Sequence, residues 1–384
     1  MRALFAGMAL SAILAAAASP PAQFRRHPIA DGLKGGYQVV AADLDRDGDE
    51  DLIALASGMP ELVWFENPGW TRHVLSAGRF RMINLAACTE AGDRRPPVIL
   101  LAEGFQNLAS KSVGNIVLLE PPDDVRLPWN AREIDRLPTS HRIRCADIEG
   151  SGKPVYVNAP LTGEDAVPPD FRRPAPLVFY RRGEWKRRLI GDENEGVVHG
   201  LWIEDFDGDR RDEILTASFG GIHLYDLKGG RWRRREIAAG DPSPWPESGS
   251  SDIAVGALGV RRFLASIEPW HGDKLAVYTE GPGPWERQVI DGSYTDGHTV
   301  VTTDLNGDGW QEIVAGYRGS GGAVYVYSAL DERGEKWERQ TLARKDLAAA
   351  ACAVADLNGD RRPDISCIGS STANLVWFEN IGAR

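Results

Sequence analysis

DLDRDGDEDLIALA (residues 43–56) crowds five aspartates and a glutamate into nine positions and then turns apolar. The pattern recurs as DFDGDRRDEILTA (205–217), DLNGDGWQEIVAG (304–316) and DLNGDRRPDISCI (356–368). Each copy carries an oxygen-bearing side chain at loop positions 1, 3, 5 and 9, with glycine near the bend. Carboxylates packed this closely repel one another unless a cation sits among them, and hard oxygen ligands at alternate positions suit Ca²⁺. The last ligand stands at position 9, whereas an EF-hand ends on a glutamate at its twelfth position, and the flanks read as strands. The expected element is a β-hairpin clamped by calcium. Its ligands would be Asp43, Asp45, Asp47, Asp49 and Asp51 in the first loop, and Asp205, Asp207, Asp209 and Glu213 in the second. The third would use Asp304, Asn306, Asp308 and Glu312, and the fourth Asp356, Asn358, Asp360 and Asp364.

Two further elements recur between these loops. A short β-branched and aromatic run appears seven times: ELVWFEN (61–67), GNIVLLE (114–120), APLVFYR (175–181), GIHLYD (221–226), KLAVYTE (274–280), AVYVYS (323–328) and NLVWFEN (374–380). A Trp-led strand follows six of them, at Trp70, Trp129, Trp185, Trp232, Trp285 and Trp337. The seventh such strand, FRRHPI (24–29), lies at the opposite end of the chain, while the last repeat stops without one. A ring in which the N-terminal strand completes the final blade accounts for both facts and removes the open edge between the chain ends. The sequence therefore predicts an all-β fold, a seven-bladed β-propeller of four antiparallel strands per blade over residues 23–384. The Trp residues, regular along the outer strands, read as packing between blades. Blades 2, 3 and 5 lack the acidic loop and must hold their turns by other contacts.

Residues 1–22 read as an export signal: Arg2, an apolar stretch from Ala3 to Ala18, and small residues where a peptidase cuts. The expected location is secreted or periplasmic, with no membrane span. The formal net charge of −11 argues against nucleic acid as a partner. Much of that acidity lies in the calcium loops. The four cysteines fall in apolar strand runs, not in turn-rich loops, so they read as buried free thiols, with a Cys352–Cys367 bridge as the alternative.

The repeat alignment also isolates a candidate site. Six residues before the first loop aspartate, where the innermost strand begins, blades 1, 3, 4, 6 and 7 carry Tyr37, His141, His199, His298 and Ala350. Three of seven histidines thus share one repeat position, and a propeller converges that position on its axis. His271 falls in a blade 5 loop that opens on the same face, with Glu268 beside it, and Arg318 occupies the matching loop of blade 6. Imidazoles bind transition metals and move protons near neutral pH. Three of them with an open position would suit Zn²⁺.

The acidic loops resemble those of the FG-GAP/VCBS repeat family over essentially the whole mature chain. More narrowly, VHGLW (198–202), SIEPWHG (266–272) and DGHT (296–299) look like the propeller of aldos-2-ulose (anhydrofructose) dehydratases. That resemblance implies a carbon–oxygen lyase that removes water from keto-sugars. In it, His199, His271 and His298 would surround substrate or metal, His141 would be the base, Arg318 would hold enolate charge and Glu268 would orient or act as acid. A polysaccharide lyase poses the same α-proton problem and is the neighbouring alternative. A non-catalytic propeller that binds glycan or protein is the competing class.

Overall fold

In the computed structural model, which describes residues 20–281 and 284–383, seven four-stranded antiparallel sheets form a ring of blades. The export-signal reading falls on residues 1–19, outside the described residues, apart from its last three positions. Strands within a blade are named A to D from the axis outward, and each blade is a meander. In blade 1 these are Gly36–Ala42, Asp51–Ala56, Glu61–Glu66 and Thr71–Ala77. Blade 7 departs from the pattern as the sequence requires. Ala349–Ala355, Asp364–Gly369 and Leu375–Ala383 are completed by Ala22–Ala30, which pairs antiparallel with the last strand. Apart from the short 3₁₀ turn Ala109–Lys111, no helix occurs among the described residues.

The strand periodicity follows from the ring. Strand B is sandwiched between neighbouring blades on both faces, so all six residues of Asp51–Ala56, Glu213–Ser218, Glu312–Tyr317 and Asp364–Gly369 are buried. Continuous apolar runs are what such two-sided burial selects. Strand D is the exposed outer strand, and the Arg-rich Arg231–Ala238 is buried only at its last two residues. The apolar clusters straddle blade boundaries, and each Trp of the D strands packs into one. Trp285 meets Phe206 of blade 4, Trp337 meets Phe263 of blade 5, and Trp70 meets Trp377 of blade 7. The inter-blade reading of the Trp row holds.

Blades without an acidic loop lean on their neighbours' turns. The blade 2 turn is held by Arg46 of blade 1, whose guanidinium donates to Arg95 O and Asp93 O, and by a hydrogen bond from Ala91 N to Gly152 O of blade 3. The blade 3 turn is capped internally by Asp147, whose own N–H donates to Asp212 of blade 4 at 2.6 Å. In blade 5, Ala257 N and O bond Gln311 of blade 6 at 2.9 and 2.8 Å. The acidic loops therefore belong to a belt of seven turns, in which the other three turns are held by contact with their neighbours.

The cysteine reading is corrected. Both pairs are bridged, Cys88 to Cys145 and Cys352 to Cys367. The second links partners in register on strands A and B of blade 7. The first joins the A strands of blades 2 and 3, brought side by side by the ring with Cα atoms 5.7 Å apart. A separation of 57 residues and apolar surroundings conceal that contact from a linear reading.

Candidate active site

The strand A residues that share one repeat position do so through a shared irregularity. In blades 1, 3, 4, 6 and 7 the A–B pairing slips by one residue at Tyr37, His141, His199, His298 and Ala350. Blades 2 and 5 pair without a slip. Such a bulge leaves the extra residue out of the ladder and re-aims its side chain. Here it presents side chains to the channel mouth opposite the acidic loops.

The imidazoles form one layer. Ring centroids lie 4.8 Å apart for His141 and His199, 4.8 Å for His199 and His271, 5.0 Å for His199 and His298, and 5.1 Å for His271 and His298. Tyr37 joins them, its hydroxyl 2.7 Å from His141 Nε2. Tyr37, His141, His199 and His271 line a cavity of about 330 Å³ whose walls include Arg81, Phe105, Asn107, Trp270 and Arg318, while His298 lines an adjoining cavity with Tyr37 and Arg142.

Burial pushes all four imidazoles down. His141 and His199 lie well below their usual value, through burial and then the Arg142 guanidinium. His298 is lowered likewise by burial and Arg318, and His271 falls to about 3 through burial, Arg318 and Arg142. The rings are therefore neutral at physiological pH. They offer lone pairs to a proton or a metal, and none starts as a proton donor in the imidazolium form.

The ring nitrogens differ in how they are partnered. His298 Nδ1 donates to Ala350 O at 2.5 Å, which leaves Nε2 as an acceptor, and that atom is buried without a partner. His199 Nε2 and His271 Nε2 face each other at 3.2 Å, close to the spacing of two ligands on one tetrahedral ion. Nδ1 of His199 is held from behind by Ser251 Oγ at 3.2 Å, and Nδ1 of His271 lies 3.3 Å from Asp296 Oδ1 without a hydrogen bond between them. Backing of a ring nitrogen by a hydroxyl or carbonyl, as in His199 and His298, is a usual support of metal-binding histidines. His271 Nδ1 also lies 3.3 Å from Arg318 Nη2, and in the tautomer that accepts from it, Nε2 donates to His199 instead. His298 Nε2 stays unpartnered in both cases. The three rings together meet the spacing that a cation needs.

Of the predicted site residues, the structure brings together His141, His199, His271, His298 and Arg318. Glu268 is corrected. It ends strand B of blade 5, is wholly buried, and spends both oxygens on Tyr278 (2.5 Å) and Arg287 (2.8 Å) inside the sheet. The carboxylate at the site is instead Asp296, which holds Arg318 at 2.9 Å and lies 3.3 Å from His271 Nδ1. Tyr37 and Arg142 also belong to the layer and were not among the candidates. Arg142 places its guanidinium 3.3 Å from His141 and 3.4 Å from His199. Strict alternation would point it away from its neighbour His141, and the bulge overrides that rule.

The remaining histidines serve locally. His27 stacks on Trp377 and bonds Glu379, while His73 stacks on Trp64 and bonds Glu66. His223 is buried in strand C of blade 4.

The acidic loops fit a cation unequally. Asp43, Asp45 and Asp51 bring carboxylate oxygens within 4.8 Å of one another, and Asp205, Asp207 and Glu213 do the same. Asp47, Asp49 and Asp209 stand outside these groups, and Asp209 shares Lys228 with Asp207. Among the described residues, the acidic side chains of Asp304, Asp308 and Glu312, and of Asp356, Asp360 and Asp364, do not gather so closely. There Asn306 and Asn358 turn their amide nitrogens toward Asp308 and Asp360. The position-9 carboxylates ground every clip. Asp51 accepts from Leu44 N and Asn67 N, Glu312 from Leu305 N, and Asp364 from Leu357 N and Asn380 N. Burial first, and neighbouring loop carboxylates after it, push Asp51, Glu213 and Glu312 up to about 7 and Asp364 to about 6. Crowding of this kind is what a bound cation relieves.

Fold and site thus define a seven-bladed propeller with FG-GAP-like repeats and a histidine-lined mouth. Comparison with known proteins agrees. The family model for the aldos-2-ulose dehydratase β-propeller domain matches residues 113–281, and the FG-GAP-like repeat model matches residues 272–367. Aldos-2-ulose dehydratase of Phanerodontia chrysosporium is 26% identical over 304 residues, which is 70% of this chain and 33% of the relative. The match therefore spans about a third of that protein's length. The resemblance drawn from the sequence motifs holds, and the chain's propeller is related to that of the dehydratase.

Proposed function

We propose that this protein is an exported carbon–oxygen lyase that dehydrates keto-sugars at the histidine-lined mouth. The observation that carries the reading is the layer of four neutral imidazoles from different blades, with His298 Nε2 left unpartnered at its centre. The activity for which the relative is named supports the substrate class. Removing water next to a ketone requires a base for the acidic α-proton, positive charge for the enolate oxygen, and a proton for the departing hydroxyl. His141 is the base. In the tautomer that donates Nε2–H to the Tyr37 hydroxyl, Arg142 Nη1 donates to that same hydroxyl at 3.4 Å, and the Nδ1 lone pair is left without a partner. Once protonated, the same ring returns the proton to the leaving hydroxyl, so water departs and charge balances. Arg318, oriented by Asp296, faces the enolate oxygen.

His199, His271 and His298 would hold a Zn²⁺-type cation, which when bound supplies further positive charge for that oxygen. Ca²⁺ in the clips is structural in this reading, most readily in blades 1 and 4. Two disulfides support export to an oxidising compartment.

The test is incubation of purified protein with 1,5-anhydrofructose and with an aldos-2-ulose, followed by ultraviolet absorbance of the enone. Enone formation that disappears in His298→Ala, with the circular dichroism spectrum unchanged, is the expected result. No enone from either sugar, combined with unsaturated products from a uronate polymer or with glycan binding alone, would replace this reading with one of its rivals.

A further inference from the structure

A further cavity of about 440 Å³ adjoins the imidazole site, and the two share Trp270 and Asn107. It lies between the B–C loops of blades 2 and 3 and the crossing from blade 4 to blade 5. Leu108, Phe171, Phe219 and Pro246 line it, and Asn107 and Glu247 are its only polar contributors. The aromatic rings support one another. Phe219 packs 5.8 Å from Trp270 and 5.4 Å from Trp245, and Phe171 meets Trp270 edge-on at 6.3 Å. Trp270 in turn lies 4.9 Å from the His271 ring, so one indole separates the reacting centre from the apolar groove. Its Nε1–H is buried without a partner.

A free keto-sugar is polar all round and has no use for such a wall. A glycoside has both halves that this surface asks for: a sugar for the imidazole side and an apolar group for the groove. We propose that the groove is an aglycone subsite and that the substrates include keto-glycosides bearing an aromatic or otherwise apolar aglycone. The inference rests on the lyase reading for its chemistry, although binding in the groove does not. In a glycoside with its ketone two carbons from the anomeric centre, the intervening carbon carries the acidic proton. His141 takes that proton, the C–H electron pair forms the C=C bond, and the C–O bond to the aglycone breaks. The proton then passes to the aglycone oxygen, which leaves as an alcohol or phenol. No oxidant or reductant is consumed.

Calorimetric titration with 4-nitrophenyl β-glucoside and with methyl β-glucoside tests the groove without any turnover. The aryl compound is expected to bind at least roughly tenfold tighter. Leu108 is half-buried in the groove wall, and Leu108→Glu should shrink that ratio to near unity by placing a charge there. Equal affinity of the two glucosides for the wild-type protein, or an equal loss of both in the variant, would overturn the proposal. The 3-keto derivatives of the same glucosides then test the chemistry, with faster release of nitrophenol than of methanol expected. Aryl preference in binding without any release from keto-glycosides, and without enone from anhydrofructose, would reject the lyase reading and leave the subsite standing. Enone from anhydrofructose with no aryl preference would do the reverse.

Discussion

The two ends of the channel collect like groups by opposite routes. On the acidic face each cluster is built within nine consecutive residues, and backbone N–H groups satisfy much of it: Asp304 alone accepts from Gly307, Asp308 and Gly309. On the other face the cluster is assembled from blades 3, 4, 5 and 6, and buried nitrogens of His141 and His298 have no partner. A locally satisfied cluster serves to hold a turn. A cluster gathered at long range, desolvated and left under-bonded is poised to act on something else.

That contrast can be broken by separating activity from stability. The largest expected effect is at the mouth: His298→Ala or His271→Ala should lower turnover roughly 10²–10⁴-fold with little change in Tm. A fall in Tm with turnover intact would make the layer a structural one. Next comes the bridge between blades, which belongs to neither cluster. Replacing Cys88 and Cys145 by Ser should cost about 4 kcal/mol by loop-entropy reasoning, read by denaturant unfolding. On the acidic face, a calcium-selective chelator should lower Tm without slowing turnover by the protein that stays folded. Each site would lose about 2.7 kcal/mol if the metal had stood at a hundred times its dissociation constant. An unchanged Tm after verified removal of calcium would contradict the clip. The smallest effect concerns pH and belongs to neither cluster. Burial, then Arg234, lowers His223 to about 4, so the folded chain refuses a proton that the unfolded chain accepts below about 6.5. Stability should therefore fall as pH drops from about 6.5 to 4, by at most about 3 kcal/mol from this group. His223→Gln should flatten that part of the profile, and an identical slope in the variant would refute the assignment.

The fold was legible because its signals are local and repeated. Acidic loops, β-branched runs and Trp-led strands set the number of blades, and the displaced FRRHPI segment revealed the closure, now seen as Ala22–Ala30 on the last blade. The histidine layer was legible for the same reason, since one repeat position recurs across blades. What the linear reading missed depends on geometry within or between strands. Arg142 reaches the layer through a bulge that breaks alternation. Glu268 lies at the end of a strand rather than in a loop, so its carboxylate turns into the sheet. Cys88 meets Cys145 only because two A strands stand side by side, a contact with no signature in either segment. Asp296 had a signal available, since it sits two residues before His298 in the DGHT motif that carries the family resemblance.

The central claim is that imidazoles from separate blades act as one cation-holding unit. Elemental analysis of purified wild-type protein and His298→Ala, with zinc-type metals counted apart from calcium, tests it most directly. One transition-metal ion per chain in the wild type, lost in the variant while calcium content stays constant, is the predicted result. Equal transition-metal content in both proteins, or none in either, would contradict it.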